Sequence, residues 1–399
     1  MAAYLDHAAS SPLRPCARDA MLAADAVPGN PSSTHGHGQA ARRVLEEARE
    51  GIARRLGCEP IELVLTSGGT ESVNLAIRGA YLARQRGAAR PRILAPLGEH
   101  HATIDAIAAL ERQHGARAEW LPVDGEGRVR LDALEAALGD GADVALVTTL
   151  LASNEIGAVQ PVRAIARLAR ERGVPVHIDA VAALGRMPVD AGALGADLLS
   201  VSAHKIGGPA GVGALVARRG VELEPILHGG GQQRGLRPGT MDVAGAAGFA
   251  AAIEAACEPS ALAAEAERLA GLARRIAEGL AAIEGAVLRG PGIDARLDDD
   301  GAEAAARAPG SVHATIDGCQ GDSLLLLLDM AGVSVSNGAA CQAGVAEPSH
   351  ALLALGLDER AALSGLRMTL GWSSRPEDVE RLLAALPDAV DRARRAGFA

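Results

Sequence analysis

Short apolar runs alternate with amphipathic segments through the first half of the chain, and most runs end at a glycine or a polar turn. Runs of this length are typical of buried strands, and apolar residues three and four apart predict helices between them. Such alternation makes successive strands parallel, with helices on both faces of the sheet. We therefore predict an α/β fold with strands at 61–66, 92–95, 144–151, 174–178 and 197–202, and with helices that include 39–56 and 162–172.

A change of composition near Glu258 predicts a boundary between two domains. The 399 residues are enough for one large core and one smaller core. We predict a large domain over 16–257 with a mainly parallel sheet, and a smaller α+β domain over 258–399, against which residues 1–15 pack. The smaller domain should contain strands at 311–316, 333–336 and 364–370, a helix at 322–330, and an exposed acidic loop at 294–308.

Charge and cysteine usage restrict the possible partners. The formal net charge is −10 and no basic cluster occurs, so nucleic acid is not an expected partner. The first residues do not resemble a signal peptide, and the apolar run at 324–328 is too short for a bilayer. The five cysteines are irregularly spaced, which predicts neither disulfides nor a metal site and indicates a reducing, cytoplasmic location. We expect buried thiols at Cys16, Cys58, Cys257 and Cys319, and an exposed one at Cys341.

Lys205 is the only lysine in the chain, because 38 of the 39 lysine and arginine residues are arginine. Either residue can serve as a surface cation. An amine that must lose its proton and condense with a carbonyl can only be lysine, since guanidinium stays charged. The commonest chemistry of that kind is a Schiff base with pyridoxal phosphate (PLP). Retention of one lysine by chance is the alternative, and the Ser and His before Lys205 and the glycines after it favour function.

A phosphate site is predicted where the strand at 61–66 turns into a helix. The turn carries Gly68, Gly69 and Thr70, so backbone N–H groups and a hydroxyl lie at the positive end of the helix. Ser202 and His204 are close enough in sequence to bind the same phosphate. A plain strand-to-helix turn is the alternative.

Two residues at strand ends suit the ring of such a cofactor. Asp179 follows the strand at 174–178, where a carboxylate can keep a pyridine nitrogen protonated, although a single Asp is more often a turn or helix cap. His100 follows the strand at 92–95, where open α/β sheets bind their ligands. Because aromatic residues are only 2% of the chain, a histidine is a candidate for stacking on the ring. For His101, a solvent-facing helix start is an equal alternative.

Two further segments carry polar residues with open alternatives. Arg367 lies in an apolar, strand-like run, where it is either a bidentate clamp for a carboxylate or a surface arginine on an edge strand. The loop at 29–36 is rich in hydrogen-bonding side chains, which a helix N-cap also explains.

The chain resembles the cysteine desulfurases, within the class-V-aminotransferase-like PLP enzymes of fold type I. The resemblance is carried, in the family's order and over nearly the whole chain, by YLDHAAS, GNPSSTHGHG, TSGGTES, EHH, NEIGAVQP, HIDA, SVSAHKIGGPAGVGAL, GGGQQRG, SNGAACQAGVAEPSH and SGLRMTLG. It implies a Schiff base of PLP with Lys205, Asp179 as partner of the pyridine nitrogen, and His100 stacked on the ring and acting as a candidate acid or base. The other cofactor-binding residues that it implies are Gly69, Thr70, Asn154, Ser202, His204 and Thr240.

The resemblance also implies the substrate, the nucleophile and the assembly. Asn154, Arg367 and Asn30 would hold the carboxylate of L-cysteine. Cys341 would take the sulfur as a persulfide and pass it to an acceptor or scaffold protein, for iron–sulfur assembly or thio-modification, while alanine is released. The family's homodimer would bring Thr240 to the phosphate of the neighbouring subunit.

The chain departs from the family's pattern around the cofactor. Where the family has Gln hydrogen-bonded to the phenolic oxygen of PLP, this chain has Ala182, and Ser153 stands where Asn is usual. Gln233, Pro238 and the run NGAAC also differ from the family's residues. These changes leave two other hypotheses: a PLP-dependent lyase or related enzyme acting on a different amino acid, and a non-catalytic scaffold. Retention of Cys341 and Arg367 argues against the first, and the single Lys205 argues against the second.

Overall fold

The computed structural model describes residues 2–295, 306–338 and 347–397. The strands are β1 (Ala3–Tyr4), β2 (Leu63–Thr66), β3 (Arg92–Pro96), β4 (Arg117–Leu121), β5 (Val144–Leu150), β6 (Val176–Asp179), β7 (Leu198–Ser202), β8 (Gly213–Ala217), β9 (Ala286–Leu288), β10 (Ser311–Ile316), β11 (Val333–Ser334) and β12 (Gly365–Thr369). The helices are α1 (Pro15–Asp25), α2 (Gly36–Arg55), α3 (Gly69–Arg84), α4 (His101–His114), α5 (Leu131–Leu138), α6 (Val162–Arg170), α7 (Ala191–Leu194), α8 (Val243–Cys257), α9 (Pro259–Ala281), α10 (Gly321–Met330), α11 (His350–Ala354), α12 (Glu359–Ala362) and α13 (Pro376–Ala396).

The main sheet has seven strands in the order β2-β8-β7-β6-β5-β3-β4. Neighbours from β7 through β4 are parallel, whereas β8 is antiparallel to both β2 and β7. Every residue of β5, β6 and β7 is buried, because helices cover both faces of the sheet. This confirms the predicted α/β fold. The strand expected at 61–66 begins only at Leu63, since Pro60–Glu62 form a turn of 3-10 helix.

A second, antiparallel sheet is formed in the C-terminal part of the chain, in the order β12-β10-β9. The N-terminal strand β1 pairs in parallel with β11, where Ala3 faces Val333. Three large core clusters follow this arrangement. Two of them lie between the large sheet and its helices, one with Ile178 and the other with Leu146, and the third lies around β10, α9 and α13 and includes Leu5 from the N-terminus. The predicted domain boundary at residue 258 falls between α8 and α9 and stays a prediction.

None of the helices in the described part of the chain is long and apolar enough to cross a membrane.

The expectation of an exposed loop at 294–308 is wrong for its last three residues. Ala306, Arg307 and Ala308 are buried, while 296–305 lie outside the described residues. The backbone of this segment pairs with the turn after β5, since Val159 N donates to Ala306 O (3.0 Å) and Ala308 N donates to Gly157 O (2.8 Å). Pairing with a distant turn therefore overrides a local composition that is typical of a solvated loop.

The Arg307 guanidinium is the polar centre of this buried segment. Its Nη1 donates to Ile156 O (3.1 Å) and Ser311 O (3.2 Å), and its Nε donates to Pro291 O (2.8 Å). Its Nη2 donates to Arg289 O (2.5 Å). A buried cation that satisfies several backbone carbonyls holds three segments of chain together, and its removal leaves those carbonyls without partners.

We expect the Arg307→Leu substitution to lower the free energy of unfolding by about 3 kcal/mol, because it strands buried carbonyl groups. The midpoint of urea unfolding, followed by circular dichroism, measures the loss. Arg18→Leu is the matched control, since Arg18 is exposed and its ion pair is with the neighbouring, equally exposed Asp19. Equal midpoints for the two variants would contradict a structural role for Arg307.

Three of the five cysteines depart from the expected pattern of burial. Cys319 is buried, as predicted, but Cys16 is exposed, and Cys58 and Cys257 are only partly buried. Cys16 lies at the start of α1, whose buried residues are Ala17 and Ala24, and its exposed thiol lies 3.8 Å from Ala251 O on α8. Cys341 lies outside the described residues.

Candidate active site

A cavity of about 430 Å³ opens at the carboxyl ends of β3, β5, β6 and β7, where an open parallel sheet binds ligands. Residues from the N-terminal segment, the first turn of α3 and strand β12 complete its wall. The sequence-predicted site residues that line it are Gly69, Thr70, His100, Asn154, Asp179, His204, Lys205 and Arg367. The fold thus brings together residues that are up to three hundred positions apart in the chain.

Lys205 reaches the cavity from the short 3-10 turn that follows β7. Its Nζ donates to Ala9 O (2.8 Å) and to Ala8 O, both in the N-terminal segment. Burial, and then the charge of Arg367, lower the pKa of the amine to about 8. About a tenth of the amine is therefore uncharged at pH 7, far more than for an ordinary lysine, and the uncharged form is the one that condenses with a carbonyl.

Asp179 is the last residue of β6 and is 4% exposed. Its Oδ1 accepts a hydrogen bond from Val181 N (2.9 Å). Burial raises the pKa of the carboxyl to about 6, against the opposing effects of that hydrogen bond and of Lys205. A buried carboxylate on the cavity wall can hold a positively charged ring nitrogen.

His100 caps the N-terminus of α4, where its Nδ1 accepts from Ala102 N (3.0 Å). Burial, followed by the charge of Lys205, lowers the pKa of the imidazole to about 4, so the ring is neutral at pH 7. His101 also lines the cavity, and its ring packs edge-on against His350 with centroids 4.9 Å apart. The alternative of a purely solvent-facing His101 is therefore wrong.

The turn between β2 and α3 has the features expected of a phosphate cradle. Gly68 has φ of 150°, a conformation that side chains disfavour, and α3 begins at the next residue. A Cβ on Gly69 would lie 2.8 Å from Val181 Cγ2, so only glycine leaves that space open. Among the described residues the hydroxyl of Ser202 is buried without a hydrogen-bond partner, beside this turn. An unpartnered buried donor at a helix N-terminus fits a phosphate group.

Arg367 lies on edge strand β12 but is 6% exposed, so it is not a surface arginine. Its Nη2 forms an ion pair with Asp6 Oδ1 (3.0 Å), and its Nη1 donates to Asn154 O (3.2 Å). Its Nε is buried and has no partner within the described ranges. The guanidinium is thus held on the cavity wall with its Nε–H left for a ligand, which suits a small carboxylate.

Comparison with known proteins identifies the family. A family model described as aminotransferase class-V matches residues 3–382. The chain is 46% identical over 401 residues to the IscS-like cysteine desulfurase of Mycobacterium tuberculosis, a match that covers all of this chain and 98% of the relative. The chain belongs to the cysteine desulfurase family. Cysteine desulfurase IscS of Dictyoglomus turgidum is 39% identical, over 98% of this chain and 95% of that protein.

Solved structures of the desulfurase family and its neighbours have the same fold. A NifS-like protein superposes with a TM-score of 0.87 at 31% identity, covering 98% of this chain and all of the other. A structure described as SspA in complex with cysteine has a TM-score of 0.76 at 30% identity, over 92% of this chain and 98% of that one. The predicted family, enzyme class and fold are thus confirmed, and the family is one that depends on PLP.

Two residues that the family pattern assigns to the site, Asn30 and Thr240, do not line the cavity, and the structure does not describe a third, Cys341. Asn30 is exposed, and its Oδ1 accepts from Ser32 N (2.8 Å) within its own turn. Thr240 is exposed at the end of the irregular loop at 229–240. Cys341 lies outside the described residues, and the described chain resumes at Glu347. The roles expected for these three residues stay predictions.

Two charged residues near the cavity were not singled out by sequence reasoning. Asp6 lines the cavity and pairs with Arg367, and Arg186 lies close by, on the turn that follows Asp179. Asp6 lies within the run YLDHAAS, which did signal the family, but a motif does not tell which of its members faces a distant arginine.

Proposed function

We propose that this chain is a PLP-dependent cysteine desulfurase that converts L-cysteine to L-alanine and keeps the sulfur as a persulfide on Cys341. The observation that carries the proposal is the only lysine of the chain, an amine with its pKa lowered to about 8, in one cavity with a buried Asp179. The unpartnered Ser202 hydroxyl beside the α3 N-terminus supports a phosphate at one end of that cavity.

PLP, when bound, withdraws electrons from the α-carbon of an attached amino acid, which makes loss of the α-proton feasible. Thr70, Ser202 and His204 would hold its phosphate, Asp179 its ring nitrogen, and His100 would stack on its ring. Lys205 would form the covalent link. The lowered pKa of its amine, about 8, supports this role, because it increases the share of free amine, and only the free amine can attack a carbonyl.

Arg367 would bind the carboxylate of cysteine and thereby fix which bond of the α-carbon faces the proton acceptor. The spare Nε donor supports this role, and Asp6 and Asn154 O keep the guanidinium from turning away. Lys205 or the neutral imidazole of His100 would then accept the α-proton, since both line the same cavity.

The sulfur transfer would be a displacement at the substrate sulfur. The Cys341 thiolate attacks that sulfur, an S–S bond forms, and the C–S bond breaks with its electron pair going to the carbon fragment. The fragment takes up a proton and leaves as alanine, so one cysteine gives one alanine and one persulfide. Transfer to an acceptor or scaffold protein would follow, for iron–sulfur assembly or thio-modification, in a reducing, cytoplasmic setting. A homodimer in which Thr240 completes the neighbouring site belongs to the same proposal.

The test is to mix the purified protein with L-cysteine and a thiol reductant, and to quantify alanine and sulfide while following the visible absorption of bound PLP. Equal amounts of alanine and sulfide are expected, and Cys341→Ser should lower both by about 10³-fold or more, because the nucleophile is lost. Cys16→Ser is the matched control, since this thiol is exposed at the start of α1 and is not among the residues that line the cavity.

A second candidate function is a PLP-dependent lyase that acts on another amino acid, and the small side chain of Ala182 in the cavity wall is the observation that favours it. PLP absorption without alanine formation from cysteine would support the lyase and overturn the desulfurase. Alanine formation that survives Cys341→Ser would also contradict the proposed persulfide.

A further inference from the structure

A second, small cavity adjoins the candidate active site behind Ala182. Its volume is about 20 Å³, and it shares Ala8, Asn154, Ala182 and Lys205 with the larger cavity. A polar cavity of at least roughly 10–15 Å³ can hold one water molecule. Ser153, Ser311 and Thr369 add hydroxyl groups to its wall, so the space is both large enough and polar enough for a bound water.

Arg186 lines the small cavity but not the large one. It lies on the turn after Asp179, and its Nη1 donates to Pro309 O (2.8 Å). Within residues 2–295, 306–338 and 347–397 this is the one hydrogen bond that its guanidinium makes. Because a guanidinium has five N–H donors, Arg186 has donors left for a ligand on the cavity side.

The residue at position 182 explains why the phenolic oxygen of bound PLP needs another hydrogen-bond donor. The family's pattern has an amide side chain at this point, directed at the phenolic oxygen of PLP, and this chain has a methyl group that lines both cavities. A phenolic oxygen that carries negative charge and loses its donor in a buried site would be destabilised. A compensating donor must therefore reach it from the space that the missing amide leaves open.

We propose that Arg186 takes over this function: through one water molecule in the small cavity, its guanidinium donates toward the phenolic oxygen of bound PLP and opposes protonation of the Lys205 nitrogen. The inference rests on the proposed PLP site. It makes Arg186 a positioning residue of the cofactor and explains how the chain retains Lys205 chemistry with alanine at position 182.

The charges around both groups support this assignment. Four charged groups act on Lys205: Arg367 and Arg186 lower its pKa, whereas Asp6 and Asp179 raise it. Arg186 itself is affected first by burial, then by Arg367, which together lower its pKa, and by Glu265, which raises it. The buried imidazole of His7, which shares the small cavity, also has its pKa lowered, by burial and then by Arg186. Removal of Arg186 should therefore raise the pKa of Lys205.

The single lysine allows a direct measurement on the cofactor-free protein. A chain labelled with ¹³C-lysine gives one lysine side-chain signal, whose titration should have a midpoint of about 8 in the unaltered protein. We expect Arg186→Leu to raise that midpoint by about one pH unit, because a nearby cation is removed. Arg268→Leu is the matched control. The charge of Arg268 also lowers the pKa of His7 but is not among the charges that shift the pKa of Lys205, so the midpoint of the lysine titration should not change.

The PLP-loaded protein provides the second readout. Arg186→Leu should raise by about one unit the pH at which the visible absorption of bound PLP changes, and should weaken PLP binding about tenfold. Adding Ala182→Gln to the Arg186→Leu variant should reverse at least half of both effects, since it restores the amide donor. An Arg186→Lys variant, which keeps the charge, should recover most of the spectral shift.

A matched pair at position 182 tests the proposal even if Arg186→Leu does not fold. Both Ala182→Gln and Ala182→Leu fill the small cavity, but only Gln brings a donor, so only Leu should shift the spectral midpoint upward. Equal shifts of the spectral midpoint in Ala182→Gln and Ala182→Leu would overturn the role of Arg186, as would unchanged titrations of Lys205 and of bound PLP in Arg186→Leu.

If Arg186→Leu changed only the KM for cysteine, the role of Arg186 would also be overturned, in favour of a contact with the substrate carboxylate. If the unaltered protein binds no PLP, the proposed function fails, whereas the lysine titration still tests the coupling of Arg186 to Lys205.

Discussion

Replacing Lys205 with arginine should reduce the formation of alanine from L-cysteine by about 10⁴-fold or more. Arginine keeps the positive charge and much of the length of the side chain, but it cannot lose its proton to attack a carbonyl. The visible absorption of bound PLP should be lost with the activity. The loss of activity is measured by quantifying alanine after long incubation, and the loss of PLP absorption by recording the spectrum before substrate is added.

Two controls separate loss of the amine from loss of the fold. The Lys205 Nζ hydrogen-bonds to the carbonyls of Ala8 and Ala9, and an arginine can donate to them as well, so the urea midpoint should change little. In Lys205→Ala, an added small primary amine such as ethylamine should restore part of the alanine formation, because it supplies the missing amine. Activity above a tenth of the original in Lys205→Arg would contradict the proposed chemistry.

The parts of the fold that could be predicted are those encoded by local patterns. β5 and β7 are short apolar runs followed by polar turns, and they occur within one or two residues of the predicted positions. The turn before α3 was predictable for the same reason, since strand, Gly-Gly and helix follow each other directly in the sequence. In each case the residues that determine the structure are also its neighbours in the chain.

The errors occur where distant segments decide the structure. Arg307 follows an acidic, alanine-rich stretch, yet it is buried because carbonyl groups from other turns and strands receive its N–H groups. Cys16 has an unremarkable sequence context, and its exposure depends on how α1 is placed beside α8, where its thiol lies near the carbonyl of Ala251. The composition of a segment does not contain this information.

The residues of the candidate site also divide into those that the sequence could predict and those that it could not. Lys205, Asp179 and His100 were predictable because each lies at the end of a strand or just after it, at the edge where parallel sheets bind ligands. Arg186 was not, since a surface arginine and a cavity arginine have the same local pattern. Its significance comes from the contact with a cavity that Ala182 leaves open, and only the folded chain brings that cavity and Lys205 together.

A second large effect is expected at Asp179. Asp179→Asn keeps the size of the side chain and an oxygen that can accept from Val181 N, but it removes the negative charge. We expect kcat for alanine formation to fall by about 10²–10³-fold, because a preorganised charge facing the cofactor ring is lost. Stability should change little, since burial already disfavours the charged form and raises the pKa of this carboxyl to about 6.

Glu99 provides a matched control for this prediction. Its carboxyl is buried nearby, its Oε1 accepts from Leu150 N (2.8 Å), and burial raises its pKa to about 8. At pH 7 this group is therefore mostly protonated and neutral, so Glu99→Gln removes little charge and kcat should stay within about threefold. Asp179, with the lower pKa, is mostly ionised at the same pH. A comparable loss in both variants would mean that buried polar packing, and not the charge of Asp179, supports the reaction, because the two substitutions differ chiefly in the charge that they remove.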